Sequence, residues 1–246
     1  MTREEAHSWL RMALTGPTSG SQARALADRL AGALARMFKT RKLLPPYDPH
    51  GWLPRIDNYT NETGFPESLF VAADGRLVGT WILGNDYRVK SEFYGGYPNT
   101  YLPRVKALFP EKRQTLHLFS GMVDTAAFPG DTVDINLSLA SAHPKDLHVH
   151  YTDDAQTLKR VPLNSYDLVM ADPPYSVEDA EHYQTSMIKR NKVFQALAGM
   201  KPGAHVIWLD QVLPMWRKEV FDLIGIVGIV RSTNHRFRCM AVFRRK

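Results

Sequence analysis

The sequence predicts an α/β fold whose mostly parallel sheet has seven strands, with the last strand antiparallel. From about residue 114 onward, short apolar runs alternate with segments of helical periodicity, a pattern typical of parallel sheets with right-handed crossovers. The last two apolar runs are joined by a short polar loop, which predicts that they pair antiparallel. Carboxylates directly follow several of these runs, at the strand ends where ligands bind in open α/β sheets.

Residues 1–90 predict an N-terminal appendage that begins with a helical hairpin. Thr2 and Glu5 match a capping box, and apolar residues follow at helical spacing, which predicts a first helix. Turn-forming residues at 16–21 separate it from a second helix that runs to about residue 42. Two readings of this hairpin stay open: it contacts DNA, or it mediates dimerisation.

The rest of the appendage is predicted to be a loop followed by a β-hairpin. Residues 43–65 are dominated by prolines and polar residues, which indicate an ordered loop. Residues 69–72 and 77–83 flank Asp74-Gly75, a turn pair typical of hairpins. We place the boundary between the appendage, residues 1–90, and the second domain, residues 91–246, after this hairpin.

The second domain begins with residues 93–102, which are rich in aromatic and turn residues, and a short helix at about 103–109. Its remaining elements are predicted from apolar runs of strand length and from helical spacing. The strands fall at 115–119, 132–135, 147–151, 166–171, 205–209, 225–231 and 238–243. The helices fall near 137–142, 178–200 and 215–223.

Asp172-Pro173-Pro174-Tyr175 directly follows the fourth of these strands. Two consecutive prolines remove two backbone donors, so the chain must leave the sheet in an extended loop. The Asp172 carboxylate and the Pro173 carbonyl can accept hydrogen bonds from an exocyclic amine, while Tyr175 offers a ring for stacking. A nucleobase is the type of substrate that fits such a corner.

An apolar strand followed by Asp172-Pro173-Pro174-Tyr175 resembles the catalytic motif of the S-adenosylmethionine-dependent amino-methyltransferases, above all the DNA adenine-N6 group. The resemblance implies a Rossmann-like methyltransferase fold and S-adenosylmethionine as the cofactor. It also implies methyl transfer to the N6 amine of adenine in DNA, as in a modification system or a phage, with these four residues as the catalytic residues.

The cofactor-binding residues that the resemblance implies precede this motif. Phe119-Ser120-Gly121 ends the predicted first strand and resembles the opening motif of DNA methyltransferases. Asp134 ends the second strand, where a carboxylate can accept ribose hydroxyls, and Asp154 follows the third strand, where the family places an acid near the adenine amine. Only about a dozen residues separate Gly121 from Asp134, so the usual helix after the first strand does not fit.

Residues 234–238 connect the last two strands, and in related enzymes this loop helps to hold the extruded base. The resemblance makes Phe237 a candidate stacking face and Arg236 a candidate phosphate contact, although an ordinary basic turn explains the same residues. His182 and Tyr183 are further candidates to cover the target, although a solvated helix explains them better.

The net charge of +6 favours a polyanionic partner. Residues 231–246 contain six basic residues and no acidic residue. Cys239 is the sole cysteine, which excludes an internal disulfide. The longest apolar run, residues 223–230, is too short to cross a membrane, so we predict a cytoplasmic protein with DNA as its partner and no membrane contact.

Several alternatives to adenine-N6 methylation of DNA stay open. The same four-residue motif occurs in RNA base methyltransferases, for which guanine N2 and adenine N6 of ribosomal RNA are the alternative acceptors, and cytosine N4 is another acceptor. The short first motif leaves room for a non-catalytic nucleic-acid-binding relative. A glutamine methyltransferase of release factors is disfavoured, because Asn usually replaces Asp172 there.

Overall fold

The computed structural model describes residues 47–84, 97–121, 123–136, 149–182, 185–231 and 237–246. The chain divides into two compact units, Met1–Pro46 and Tyr47–Lys246. The predicted helical hairpin and the predicted helix at 137–142 lie outside the described residues. None of the helices in the described part of the chain is both long and apolar enough to cross a membrane.

One mixed sheet forms the centre of the unit that begins at Tyr47. Its strands are β1 (Leu69–Val71), β2 (Leu77–Leu83), β3 (Thr115–Leu118), β4 (Asp131–Asp134), β5 (Tyr151–Thr152), β6 (Leu168–Ala171), β7 (His205–Asp210), β8 (Phe221–Arg231) and β9 (Phe237–Arg245). The described helices are α1 (Trp52–Thr63), α2 (Tyr101–Leu108), α3 (Val177–His182) and α4 (Arg190–Leu197), with a short 3-10 helix at Leu163–Ser165.

The strand order is β1-β2-β8-β9-β7-β6-β3-β4-β5. Strands β3 to β7 pair with one another in parallel, and β9 is antiparallel to both β7 and β8. After the β1–β2 hairpin at one edge of the sheet, the chain enters the middle of the sheet at β3, builds outward to β5, and returns to build the other half from β6. This is a Rossmann-like sheet with a final antiparallel strand inserted, so the predicted fold class is confirmed.

The β-hairpin belongs to this sheet, which has nine strands in the described residues instead of the predicted seven. Strand β2 pairs in parallel with β8 along its whole length, from Leu77 opposite Gly225 to Leu83 opposite Arg231. The alternating side chains of β2 are buried at one face, and this burial ties the hairpin to the sheet. The boundary predicted near residue 90 therefore falls inside one compact unit.

Helix α1 replaces the loop that we predicted for residues 43–65. The Asp48 carboxylate accepts hydrogen bonds from the backbone N–H groups of Trp52 (2.7 Å) and Leu53 (2.8 Å), which satisfies the first donors of the helix. Pro54 lies in the first turn, where no N–H is needed. The prediction was wrong because the prolines and polar residues of this segment suggested a loop, whereas Trp52 and Tyr59 form part of a buried apolar face of the helix.

Two further helix predictions were wrong. The segment predicted as one helix at 178–200 is divided into α3 and α4. The segment predicted as a helix at 215–223 is a loop that enters β8 at Phe221. Phe221 is buried against Phe194 of α4, with ring centroids 5.5 Å apart, and Met215 is 79% exposed. Pairing with β9 and burial of alternate side chains therefore outweighed the helical spacing.

Candidate active site

Strands β3 and β6 are neighbours, and their carboxyl ends bring two of the predicted motifs together. Leu118 pairs with Ala171 in parallel register, so Phe119 and Asp172 leave the sheet side by side. The order of the strands reverses between β3 and β6. Such a switch point forms the crevice in which open α/β sheets bind ligands.

The Asp172-Pro173-Pro174-Tyr175 segment folds back on itself at this edge. Asp172 and Tyr175 are half-buried, whereas both prolines are buried. The Tyr175 hydroxyl donates a hydrogen bond to Asp172 Oδ1. The acid and the ring that the sequence singled out therefore form one corner.

The Asp172 carboxyl lies in an environment that favours its neutral form. Burial raises the pKa of Asp172 to about 7, since a charged carboxylate loses its hydration. Arg238 acts against this and lowers the pKa, as Arg231 does, while the acids Asp210 and Asp179 raise it further. The ionisation of Asp172 therefore changes close to neutral pH.

Arg238 contacts the same corner, and the sequence did not identify it. Its guanidinium carbon lies 4.2 Å from the centroid of the Tyr175 ring, a cation–π contact. Phe237 is 60% exposed and its ring lies beside Gly228. Because neighbouring residues on a strand point to opposite faces, the candidate stacking residue Phe237 faces away from Arg238 and Tyr175. Arg236 lies outside the described residues.

Two tyrosines from the segment around α2 also face Asp172. The rings of Tyr97 and Tyr101 stack with their centroids 5.3 Å apart. Burial raises the pKa of both hydroxyls, and the charge of Asp172 raises it further. Neither buried hydroxyl has a hydrogen-bond partner among the residues described. The predicted aromatic segment therefore places two spare hydroxyl groups close to the Asp172 carboxyl.

The turn after β3 has an unusual backbone conformation. Phe119 (φ 54°) and Gly121 (φ 48°) are both in the left-handed region, which costs energy for the non-glycine Phe119. The Gly121 N–H donates to Asp134 Oδ2 at 2.9 Å, and the Asn136 N–H donates to Asp134 Oδ1 at 2.9 Å. The Ser120 hydroxyl is buried with no partner in the described part of the chain. Asp134, predicted to accept the ribose hydroxyls of the cofactor, thereby also supports the turn after β3.

Asp154 lies at the same edge of the sheet, beyond β5. Its Oδ1 accepts the Gln156 N–H at 2.8 Å, and the preceding Asp153 N–H donates to the Asp134 carbonyl at 3.2 Å. The three predicted cofactor elements therefore end adjacent strands. Turns lead from β3 to β4 in the described residues, as the short spacing predicted.

An ion pair beside the corner was also missed by sequence reasoning. Asp210 ends β7 and accepts hydrogen bonds from Arg190 Nε at 2.6 Å and Arg190 Nη2 at 3.1 Å. The position of Asp210 directly after an apolar run was a usable signal, but nothing in the sequence marked Arg190. The side chain of His182, and all of Tyr183, lie outside the described residues.

Comparisons with known proteins give likenesses of fold only. No family model matches the chain, and no curated protein matches it. TrmN from Thermus thermophilus aligns with 16% identity and a TM-score of 0.43, over 59% of this chain and 48% of TrmN. A Haemophilus influenzae protein described as a methylase aligns with 16% identity and a TM-score of 0.38, over 57% and 85% of the two chains.

A third solved structure, a protein described as a methyltransferase and complexed with SAH, aligns with 17% identity and a TM-score of 0.30, over 53% of this chain and 44% of that one. This chain thus spans about half the length of TrmN. With TM-scores below 0.5, none of these likenesses carries an argument about activity. The strand order of the sheet by itself identifies the Rossmann-like fold.

Proposed function

We propose that this protein is an S-adenosylmethionine-dependent methyltransferase that methylates the exocyclic N6 amine of adenine in DNA. The observation that supports it best is the corner of Asp172 and Tyr175 at the carboxyl end of β6, directly beside the turn that ends β3. An acceptor for an amine and a turn suited to a cofactor therefore meet at the switch point of the sheet.

The groups around this turn fit S-adenosylmethionine. Each Asp134 oxygen accepts one backbone N–H and keeps a second lone pair, so the carboxylate would hold both ribose hydroxyls. The buried, unpartnered Ser120 hydroxyl and the glycine at 121 would hold the methionine part. Asp154 would accept the adenine amine. When bound, S-adenosylmethionine supplies an electrophilic methyl group on its sulfonium.

The residues of the corner would prepare the amine. The lone pair of an aromatic amine is delocalised into the ring, so the amine is a poor nucleophile until it becomes pyramidal. Asp172 and the Pro173 carbonyl would accept its two N–H groups and favour that geometry. As the amine attacks, positive charge develops on its nitrogen, and the Asp172 carboxylate would stabilise it. Tyr175 would orient the base by stacking, which lowers the entropy cost of the reaction.

A polyanionic substrate agrees with the charge of the chain. The C-terminal residues 231–246 carry six basic groups and no acid, and β9 brings this segment to the corner through Arg238. A base in duplex DNA must leave the stack to reach Asp172, at a cost of a few kcal/mol. Residues 1–46, a separate unit with a basic excess, are a candidate for contacting DNA or for dimerisation.

Transfer of labelled methyl groups from S-adenosylmethionine to duplex DNA, ribosomal RNA and protein tests this proposal. We expect label in DNA, recovered as N6-methyladenine after nucleoside analysis, and none with Asp172→Asn. Asp222→Asn is the matched control, because it makes the same change at a half-buried aspartate that pairs with Lys246. Label in RNA as N2-methylguanine would contradict the DNA assignment, and absence of both label and cofactor binding would indicate a non-catalytic relative.

A further inference from the structure

Arg238 contacts the corner through the Tyr175 ring, and the proposed reaction gives it no role. We infer that Arg238 positions the Tyr175 ring and favours the carboxylate form of Asp172 against the effect of burial, so that the three side chains prepare the amine acceptor as a unit. This inference rests on the proposed function, since it assigns a role within that same site. Arg238 is thereby a positioning residue, because its contact is with Tyr175 and not with the substrate.

The contacts form a continuous chain. Arg238 is 8% exposed, and its guanidinium carbon lies 4.2 Å from the Tyr175 centroid. The Tyr175 hydroxyl in turn donates to Asp172. With one ring face on the guanidinium and its hydroxyl on the carboxyl, Tyr175 is held at both ends.

The strand pattern explains why Arg238 reaches the corner. On β9, Met240 and Val242 belong to the same buried cluster as Leu168 and Met170 of β6. Because side chains alternate along a strand, Arg238 continues that face of β9 and Asp172 continues that face of β6. Both charged groups therefore emerge on one side of the sheet, although β7 lies between their strands.

The charges around Asp172 come from several elements. Arg238 of β9 has the largest effect after burial, and it opposes burial. The other groups that face Asp172 are Arg231 at the end of β8, Asp210 at the end of β7, Asp179 of α3, and the hydroxyls of Tyr97, Tyr101 and Tyr175. Without Arg238, the charged groups near Asp172 would be the acids Asp210 and Asp179 and the base Arg231. The net electrostatic effect would then favour the protonated form of Asp172.

The state of the Arg238 side chain indicates more than packing. Its Nε is buried and has no hydrogen-bond partner among the described residues, a costly situation for a charged group. Stacking on an aromatic ring offsets this cost only in part. A methionine at this position would fill similar space without burying an unpaired charged nitrogen. We therefore infer that the function of Arg238 depends on its charge.

The direct test is a carbon-13 NMR titration of the Asp172 carboxyl in the full chain, with Asp172→Asn to identify the signal. In Arg238→Gln we expect the titration midpoint to rise by about one pH unit, because a nearby opposite charge has been removed. Arg238→Lys keeps the charge and should shift it less. The matched control is Arg244→Gln, the same change at the other end of β9, which should leave the midpoint unchanged. If Arg238→Gln does not fold, Arg238→Met takes its place.

Methyl transfer as a function of pH gives the second measurement. With a midpoint raised by about one unit from about 7, the rate of Arg238→Gln relative to the wild type should be about fivefold lower at pH 7 than at pH 9. Loss of the Tyr175 position alone, or a structural defect, would slow the reaction by the same factor at both pH values. An unchanged midpoint in the NMR titration overturns the inference whatever the activity. A raised midpoint in a chain that transfers no methyl group would instead leave the inference standing and count against the proposed function.

Discussion

The Asp210 carboxylate accepts hydrogen bonds from two nitrogens of Arg190, Nε at 2.6 Å and Nη2 at 3.1 Å. The Trp208 indole donates to the same carboxylate at 3.1 Å, as do two backbone N–H groups of the following loop. Asp210 and Asp172 end neighbouring parallel strands, but Asp210 is saturated with donors. Asp210 therefore fixes the end of β7, and Asp172 is the acid with capacity left for a ligand.

Arg190→Met should destabilise the fold, because it leaves the 1% exposed Asp210 without its counter-charge. Breaking a buried pair from one side costs about 3 kcal/mol, which urea unfolding can measure. Adding Asp210→Asn should recover part of this loss, since the uncompensated charge is then gone. Arg217→Met breaks the exposed pair with Glu219 and should change stability by less than about 0.5 kcal/mol. Equal losses of stability in Arg190→Met and Arg217→Met would contradict a structural role of the Arg190–Asp210 pair.

Asp172→Asn should abolish methyl transfer and yet stabilise the fold at alkaline pH. The pKa of Asp172 is raised from 3.8 to about 7, so folding binds a proton that the unfolded chain releases. In the wild type the contribution of Asp172 to stability therefore falls as pH rises from about 4 to 7, and this deficit persists above pH 7. At pH 8 the variant should gain up to about 4 kcal/mol, and at pH 4 the two proteins should be equal. A variant that is less stable at both pH values would show that the acid supports the fold.

Asp134→Asn should weaken the binding of S-adenosylhomocysteine by about tenfold in calorimetry. The change replaces an acceptor oxygen with an NH₂ donor opposite the Gly121 N–H and the ribose hydroxyls, and it removes a charge-assisted hydrogen bond. Asp131→Asn is the matched control, because Asp131 begins the strand that Asp134 ends. Equal affinity of the two variants would argue against a cofactor at the carboxyl edge.

Sequence reasoning predicted the parts of the site that are local in the chain. Three features each follow an apolar run: Asp172 to Tyr175, the turn at Phe119 and the carboxylate of Asp134. The parallel register of the strands then brings these features to the same edge of the sheet. Arg238 and Arg190 were not predicted, because their roles depend on contacts with residues far away in the sequence. The residues next to Arg238 and Arg190 in the sequence give no signal of these distant contacts.

The same distinction between local signals and long-range contacts explains the errors in the fold prediction. The spacing of residues 215–223 suits a helix, but Phe221 is buried against α4 and enters a strand. The β2 strand was identified correctly, whereas its partner β8 is about 150 residues further along the chain. Local propensity cannot show this pairing, and the hairpin was therefore assigned to an appendage.

Two buried histidines should make the fold sensitive to acid. Burial lowers the pKa of His117 to about 4 and that of His205 to about 3, so both are neutral in the folded chain while the unfolded chain binds protons below about 6.5. Stability should therefore fall as pH decreases from 6.5 to 4, by up to about 1.4 kcal/mol per pH unit for each histidine. His205→Leu should reduce this slope in urea unfolding measured at several pH values. An unchanged slope would show that His205 is protonated in the fold.

Gly79→Ala should destabilise the β1–β2 hairpin, because β1 and β2 approach each other closely at this residue. A Cβ at position 79 would lie 2.1 Å from the Ser68 carbonyl oxygen and 2.8 Å from Leu69 Cδ2, so the backbone of one strand must shift. Overpacking of this kind costs about 3 kcal/mol. Gly84→Ala just beyond β2 meets nothing within 4 Å and serves as the control.

Urea unfolding followed by tryptophan fluorescence measures this loss, because Trp81 of β2 is buried at 1% exposure and pairs opposite Ile229 of β8. If the hairpin is part of the central sheet, the loss in Gly79→Ala should appear in the single transition of the whole unit. A separate early transition that involves Trp81, with the rest of the unit unchanged, would mean that the hairpin unfolds independently. In that case the β2–β8 pairing would contribute little to the stability of the sheet.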